Sequence, residues 1–394
     1  MNSSAVLLFL LSFGHMCTDI VQGALPALLP FLKERFNLSY AVTGTLLMAA
    51  HLTSSVIQPL FGYVTDRRPF PILLPLGCAI SGVGIALVPL SPSFGGLVAF
   101  VMFTGLGTAA FHPEGFKATA CIASERRATG MSFFSVGGNL GFAIGSPAAI
   151  FLVSRYGLPG ASGLLLPTAF AALLFLPALP ALRSRIESAS SAPPRKNAMS
   201  GVDRPLYAVT LIVLIVVLRS WTQLGLATYI PFLYQAQLKS DPAYVATLLF
   251  FFLGSGTVGT VIGGPLADRF GHRRLLFFSL ALQIPLIFLF LRSSGGLVFV
   301  SAALLGGTIV STFSVTIVMA QELFPKRMAT ASGAIAGFAI GTGGVGVTLI
   351  GAVADRYGVP AATSLINVLP AIGGLLALLL PLPWKTGEKG KRDR

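Results

Sequence analysis

Gly264-Pro-Leu-Ala-Asp268-Arg269-Phe-Gly271-His-Arg-Arg274 separates two long apolar runs, and Gly62-Tyr-Val-Thr-Asp66-Arg67-Arg68 does the same much earlier in the chain. The two Asp-Arg pairs lie 202 residues apart in a chain of 394. A short charged turn at equivalent places in two hydrophobic halves marks an internal duplication. Both turns then sit at one membrane face: glycine packs closely, aspartate can cap a helix or meet a cation, and the arginines stay in water.

The composition fixes the solvent. Hydrophobic residues make up 54% of the chain, charged residues 10%, and the mean hydropathy is +0.82. Soluble domains carry about 25% charged residues, so a soluble globule is excluded. The apolar runs have the ~20-residue length a membrane helix needs and lack the ~10-residue alternation of barrel strands. The chain reads as an all-α integral membrane protein with twelve transmembrane helices, near 5–31, 40–64, 70–91, 95–122, 129–154, 161–182, 206–234, 243–266, 273–291, 295–323, 328–353 and 360–384. The start, Met-Asn-Ser-Ser, has no basic stretch and the first segment carries His15 and Asp19, so it reads as a retained span and not a cleaved signal. Cys17, Cys78 and Cys121 fall inside apolar spans at no metal or redox spacing and read as small hydrophobes.

A net charge of +14 raises nucleic acid as a partner, but the location of the charge argues against it. The basic residues gather after the even-numbered spans, at Arg67, Arg68, Arg126, Arg127, Arg183, Arg185, Arg195, Lys196, Arg204, Arg269, Arg273, Arg274, Lys326 and Arg327, and in the tail from Lys385. The opposite side holds Lys33, Arg35, Arg155, Lys239, Arg292 and Arg356. By the positive-inside rule the crowded side is cytoplasmic, and both termini lie there. The basic excess is therefore a topology signal.

Residues 183–205 form a polar, Ser/Pro-rich interlude that reads as a cytoplasmic linker between helical bundles at 1–182 and 206–384, with a basic tail at 385–394. The halves align elsewhere too: Leu97-Val98 with Leu297-Val298, Gly107-Thr108 with Gly307-Thr308, Arg127 with Arg327. Parallel repeats of this kind describe the two halves of major facilitator transporters, and the chain resembles that superfamily over its whole length. The copy at Gly264–Arg274 fits the superfamily turn almost fully; the copy at Gly62 departs after Arg68, where Pro69-Phe70-Pro71 stands. The resemblance implies two pseudo-symmetric six-helix bundles and a gating role for Asp66, Arg67, Asp268 and Arg269, which would latch the cytoplasmic side through arginines or helix N-termini. A plain tight turn with solvated charges is the alternative. Gly138, Gly141 and Gly145, and Gly333, Gly337, Gly341, Gly344 and Gly346, supply small residues at close helix crossings, either for a sliding interface or for packing alone.

Ionisable groups within spans are costly and point to function. His15, Asp19 and Gln22 share one face of the first span. Asp19 is the proton-carrier candidate, because a carboxyl moving between a dry environment and a cationic one can load and release a proton; a static Asp19–His15 pair is the alternative. In the fourth span, Phe111-His112-Pro113-Glu114 places His112 and Glu114 on different faces, with Lys117 positioned to pair with Glu114. His112 and Glu114 are further proton candidates, the second also readable as half of an ion pair. His51 reads as a packing histidine. Arg219, inside the seventh span with Trp221 and Gln223 nearby, needs an anion, which either cargo or a protein carboxylate can supply. His15, Gln22, Arg219 and Gln223 are the cargo candidates, with Asn139 shaping the cavity.

Ser12-Phe-Gly-His15-x-x-x-Asp19, Gln58-Pro-x-x-Gly62-Tyr-x-Thr-Asp66, Gly105-x-Gly107 with Phe111-His112-Pro113-Glu114, and Val136-Gly-Gly-Asn139-x-Gly141 together resemble the fosmidomycin resistance family, chiefly over residues 10–147. The resemblance implies a bacterial inner-membrane exporter, an antiporter driven by the proton gradient without a cofactor, for a small phosphonate. Such an anionic cargo would suit Arg219 and Lys117. A monomer in the lipid bilayer, with a small-molecule substrate and no nucleic acid, is the expectation. A proton symporter importing an organic anion fits the same residues. An enzyme would need a nucleophile–base set or a metal cluster, neither of which the spacing offers; a sensor would carry a sizeable soluble domain.

Overall fold

The structure, a computed structural model, describes residues 3–38, 40–123, 126–191, 204–231, 233–234 and 242–381. Their regular structure is helical: α1 (Ser4–Phe36), α2 (Tyr40–Arg67), α3 (Leu73–Leu87), α4 (Phe94–Ala123), α5 (Arg127–Tyr156), α6 (Leu165–Phe175), α7 (Leu179–Ser191), α8 (Pro205–Pro231), α9 (Pro242–Phe270), α10 (His272–Arg292), α11 (Gly296–Val310), α12 (Phe313–Leu323), α13 (Met328–Gly341), α14 (Gly343–Tyr357), α15 (Val359–Leu365) and α16 (Val368–Leu379). Short 3₁₀ turns extend α3 and flank α6. Taking α6–α7, α11–α12, α13–α14 and α15–α16 as interrupted spans gives the twelve expected from the sequence. Ten stretches among the described residues are long and apolar enough to cross a membrane. The other two are α2, which carries His51, Ser54, Ser55 and Gln58, and the α13–α14 pair, interrupted at Thr342.

The chain divides into two compact units, Met1–Pro193 with Lys326–Gly337, and Pro194–Pro325 with Phe338–Arg394. Most of α13 thus packs with the first unit. The stretch read as a linker begins as helix: α7 continues to Ser191, with Leu182 and Ile186 fully buried and Arg183 Nε donating to Glu187 Oε1 at 2.8 Å. Two apolar contacts and an i,i+4 ion pair hold a sequence whose polarity suggested a loop. The rest of that stretch up to residue 203, and the basic tail, lie outside the described residues.

Lipid tails are as apolar as leucine, so close van der Waals contact and not solvent exclusion draws membrane helices together. The glycines supply that contact. In the first unit α5 lies against α1 so closely that a Cβ on Gly137 would sit 1.9 Å from the Ser12 carbonyl oxygen, and one on Gly141 2.1 Å from that of Met16. These glycines of α5 therefore serve static packing within one unit. Gly105 of α4 meets the Ala50 carbonyl of α2 in the same way. The second unit repeats the device, with Gly306 of α11 on the Phe252 carbonyl of α9 and Gly259 on that of Gly307. The contact pair α2–α4 and its counterpart α9–α11 lie about one repeat apart, so the duplication extends to backbone packing. Leu25, Leu28, Leu46 and Val101 anchor one core, and Phe252, Ile287, Phe290 and Leu305 the other. Arg273, from the charged turn, donates to the Ala377 and Leu378 carbonyl oxygens at 3.2 and 2.5 Å, closing the C-terminal end of α16.

Candidate functional site

The i,i+4 spacing on α1 brings His15 and Asp19 together, and α4 adds His112 from 93 residues away. His15 Nε2 lies 3.2 Å from Asp19 Oδ2, and His112 Nε2 lies 3.1 Å from Oδ1. Gln22 Nε2 donates to the same Oδ1 at 2.6 Å. Both histidines are buried, at 4% and 3% exposure, and their rings meet edge to face with centroids 5.0 Å apart. An aromatic wall holds His15: Phe134 stacks on it at 4.1 Å, and Phe111 and Phe116 close around it. Gly138 of α5 faces the pair, where a Cβ would lie 2.5 Å from His15 Cε1 and 2.8 Å from Asp19 Oδ2. Only a residue without a side chain fits there.

Hydrogen-bond accounting assigns a proton to this site. His15 Nδ1 lies 2.9 Å from the Phe134 carbonyl oxygen, which can only accept, so Nδ1 carries a hydrogen. In neutral His15 that leaves a lone pair on Nε2, pointing at Asp19 Oδ2. Two lone pairs 3.2 Å apart repel. The contact is attractive only when a proton lies in it, either as imidazolium beside carboxylate or as a carboxylic acid donating to imidazole. His112 differs, because its Nδ1 is buried without a hydrogen-bond partner. Its Nε2, 3.1 Å from Asp19 Oδ1, carries the hydrogen while Asp19 is ionised, and presents a lone pair only to a protonated Asp19.

The other candidates divide between separate places. Glu114, fully buried, faces away from Asp19 towards Thr65, Phe70 and Lys117, with both carboxylate oxygens outside hydrogen-bonding geometry. Lys117 Nζ instead donates to the Thr65 carbonyl oxygen, so the ion pair that the three-residue spacing suggested is replaced by a lysine–backbone contact. Half-buried Asn139 follows Gly138 on α5. His51, read as packing, lines a small recess with Gln22, Ser54, Thr104 and Thr108, next to the Asp19 group.

In the second unit Arg219 is 3% exposed, with Nε and Nη1 free of hydrogen-bond partners among the described residues and Cζ 5.1 Å from the centre of the Phe313 ring. The ring face offers it a cation–π contact. Gln223, four residues on and half-buried, shares this helix face, whereas Trp221 packs over Gly346 of α14.

The charged turn of the first unit is engaged. Asp66 accepts from the Ala329 and Thr330 backbone N–H groups at 2.9 and 2.8 Å and from Thr330 Oγ1 at 2.6 Å. Its carboxylate thus caps the N-terminal turn of α13, where the peptide dipoles favour negative charge. Close approach at Gly62, where a Cβ would lie 2.6 Å from the Ala329 carbonyl oxygen, makes the cap reachable. Arg67 is exposed and folds over the Tyr63 ring at 4.3 Å, and Arg269 lies 5.2 Å from the Phe270 ring. Asp268 is half-buried on α9. Replacing Asp66 by Ala removes three hydrogen bonds to a charged acceptor and is expected to destabilise the purified protein by about 1–2 kcal/mol, with a smaller loss for Asn. An unchanged thermal midpoint in both would mean a solvated turn.

Three participants have weak or no sequence signals. Gly138 is one glycine among many, and the Phe134 carbonyl and the Ala329–Thr330 amides belong to the backbone. The set His15, Asp19 and His112 also places three metal-competent atoms within 4.8 Å of one another, a cluster that linear spacing did not reveal.

Comparisons with known proteins agree with this architecture. The family model of the Major Facilitator Superfamily matches residues 11–257 and 212–394. The uncharacterized MFS-type transporter YfnC of Bacillus subtilis (strain 168) is 33% identical over 390 residues, covering 97% of this chain and 94% of the relative. The fosmidomycin resistance protein of Escherichia coli (strain K12) is 28% identical over 373 residues, 94% of this chain and 91% of the relative. The solved structure of the proton:xylose symporter XylE shares the fold with a TM-score of 0.73 at 13% identity, covering 98% of each chain. With two matched helical halves and a relative aligned along nearly its entire length, the chain belongs to the Major Facilitator Superfamily and is a multi-pass membrane transporter, not an enzyme.

Proposed function

We propose that this transporter is a proton-coupled antiporter that exports a small organic anion, a phosphonate such as fosmidomycin, across the bacterial inner membrane by alternating access. The observation that carries this reading is the His15–Asp19 contact, which is attractive only with a proton in it. Asp19 would be the proton carrier, His15 its fixed partner and His112 the relay whose tautomer follows the protonation of Asp19. Arg219, buried and with no ion-pair partner among the described residues, would be the anion site. Its planar fork suits a phosphonate or carboxylate, and cargo would supply the negative charge. The similarity to a fosmidomycin resistance protein along nearly the whole chain supports the direction and the cargo class. Gln22, Gln223 and Asn139 would shape the cargo's surroundings, and the Asp66 cap on α13 would latch one state of the cycle. Glu114, away from Asp19, is a second proton site whose part is played beside the latch. The basic residues gathered in the loops after the even-numbered spans support placing both termini in the cytoplasm.

The energetics suffice. One proton crossing 100 mV releases about 2.3 kcal/mol, with roughly 1.4 kcal/mol more per pH unit. That exceeds a tenfold uphill gradient of a neutral solute.

Inverted membrane vesicles with an acid interior, reported by a pH-sensitive dye, separate antiport from symport. Antiport predicts that fosmidomycin or another small organic anion added outside makes the lumen more alkaline as protons leave against incoming cargo. A symporter would carry protons inward with the added anion and give no such rise. A lumen that stays acid with every anion contradicts export by proton exchange.

A further inference from the structure

We propose that His15, Asp19 and His112 form a binding site for a divalent transition-metal ion of the zinc type, which takes the place of the proton in the His15–Asp19 contact. The proposal uses the residues of the proton site, but its argument is the ligand geometry and does not depend on the transport reading.

Three donor atoms converge: His15 Nε2, His112 Nε2 and a carboxylate oxygen of Asp19, all within 4.8 Å of one another. His112 Nε2 lies 3.1 Å from Asp19 Oδ1 and His15 Nε2 3.2 Å from Oδ2, so either carboxylate oxygen stands close to one histidine while the three donors stay within 4.8 Å. Ligands bound tetrahedrally to Zn²⁺ at about 2.0–2.1 Å stand about 3.3 Å from one another, so small side-chain adjustments admit the ion. Two histidines and one carboxylate leave a fourth position open, as in zinc sites that keep an exchangeable ligand. Asp19 is the most accessible of the three, its side chain 13% exposed against 5% and 4% for the histidines.

The outer shell is also in place. A zinc-bound histidine commonly donates its other ring nitrogen to a carbonyl or carboxylate, which orients the lone pair towards the metal. His15 does this through Phe134. His112 has no partner on Nδ1 and is free to turn its Nε2 lone pair inward. Gly138 leaves the space beside both His15 and Asp19 that a side chain would fill. The lone pairs on His15 and Asp19 require a cation between them, and a divalent ion shared with His112 can stand there in place of a proton. Binding therefore expels the proton that the contact holds.

The test uses Co²⁺, whose visible absorption reports ligand number and type, on tag-free full-length protein in detergent, with no cargo present. One equivalent of Co²⁺ is expected to give the intense visible bands of a four- or five-coordinate N/O site, abolished by one equivalent of Zn²⁺. His112→Gln and Asp19→Asn, each checked for a native size-exclusion profile, are expected to weaken binding about tenfold or more. His272→Gln, in the second unit, is expected to bind as wild type does. Wild-type protein without such bands at millimolar Co²⁺ overturns the proposal whether or not any variant folds. Bands unchanged in both variants, or sulfur-to-cobalt charge transfer pointing to Cys17 or Cys78, overturn it as well. None of these results depends on transport, so the metal site and the antiport reading can fail separately.

Discussion

Proton-driven accumulation of a labelled phosphonate by reconstituted Asp19→Asn protein falls by about a hundredfold or more, the loss expected when a group that transfers protons is replaced by one that cannot. Facilitated equilibration of the phosphonate down its own gradient persists. The asparagine amide can donate to the His15 Nε2 lone pair and still accept from Gln22, so it imitates the protonated carboxyl permanently. The group around Asp19 stays satisfied and the thermal midpoint stays close to wild type. Asp19→Ala removes that partner, leaving the two imidazoles, at 4% and 3% exposure, without their common contact. The expected cost is about 1–3 kcal/mol, read as a lower midpoint. A static His15–Asp19 strut predicts the reverse order of effects: Asn lowering stability and proton-driven transport surviving.

Arg219 carries the second large effect. Its Nε and Nη1 have no hydrogen-bond partner among the described residues, and under the proposal the cargo supplies it. Arg219→Gln is expected to weaken anion binding about 10- to 100-fold, corresponding to one or two charge-assisted hydrogen bonds. It is also expected to leave the cargo-free protein as stable as wild type or more so, because a buried unpaired charge has been removed. Arg219→Lys keeps the charge but not the fork, and its affinity should fall nearly as far. Wild-type affinity in the lysine variant would rule out bidentate recognition. A lower midpoint in the glutamine variant would mark Arg219 as part of the scaffold.

The sequence pattern carried the spans, the duplication and half of the His15–Asp19–His112 group. Apolar runs and Asp-Arg turns are local, so they survive reading one residue after another; so does the i,i+4 pairing of His15 with Asp19. The partnership of Asp19 with His112 is not local, since it depends on how α4 crosses α1. Lys117 shows where spacing misleads: Glu114 is three residues away, yet the Thr65 carbonyl on α2 is the partner it meets. The cap of α13 by Asp66 was legible only in kind, as a carboxylate suited to a helix N-terminus. Helix α7 was hidden by its polarity, because Leu182 and Ile186 find apolar neighbours only once the chain has folded.

Proton release on cargo binding tests the account most directly. If protonated Asp19 and bound anion exclude each other, reciprocity requires each to weaken the other. Fosmidomycin added to wild-type protein in weakly buffered detergent solution near neutral pH should therefore acidify the medium, in proportion to the sites filled. Asp19→Asn should bind the compound without releasing protons. Saturating binding to the wild type with no change in pH would contradict proton exchange at this site.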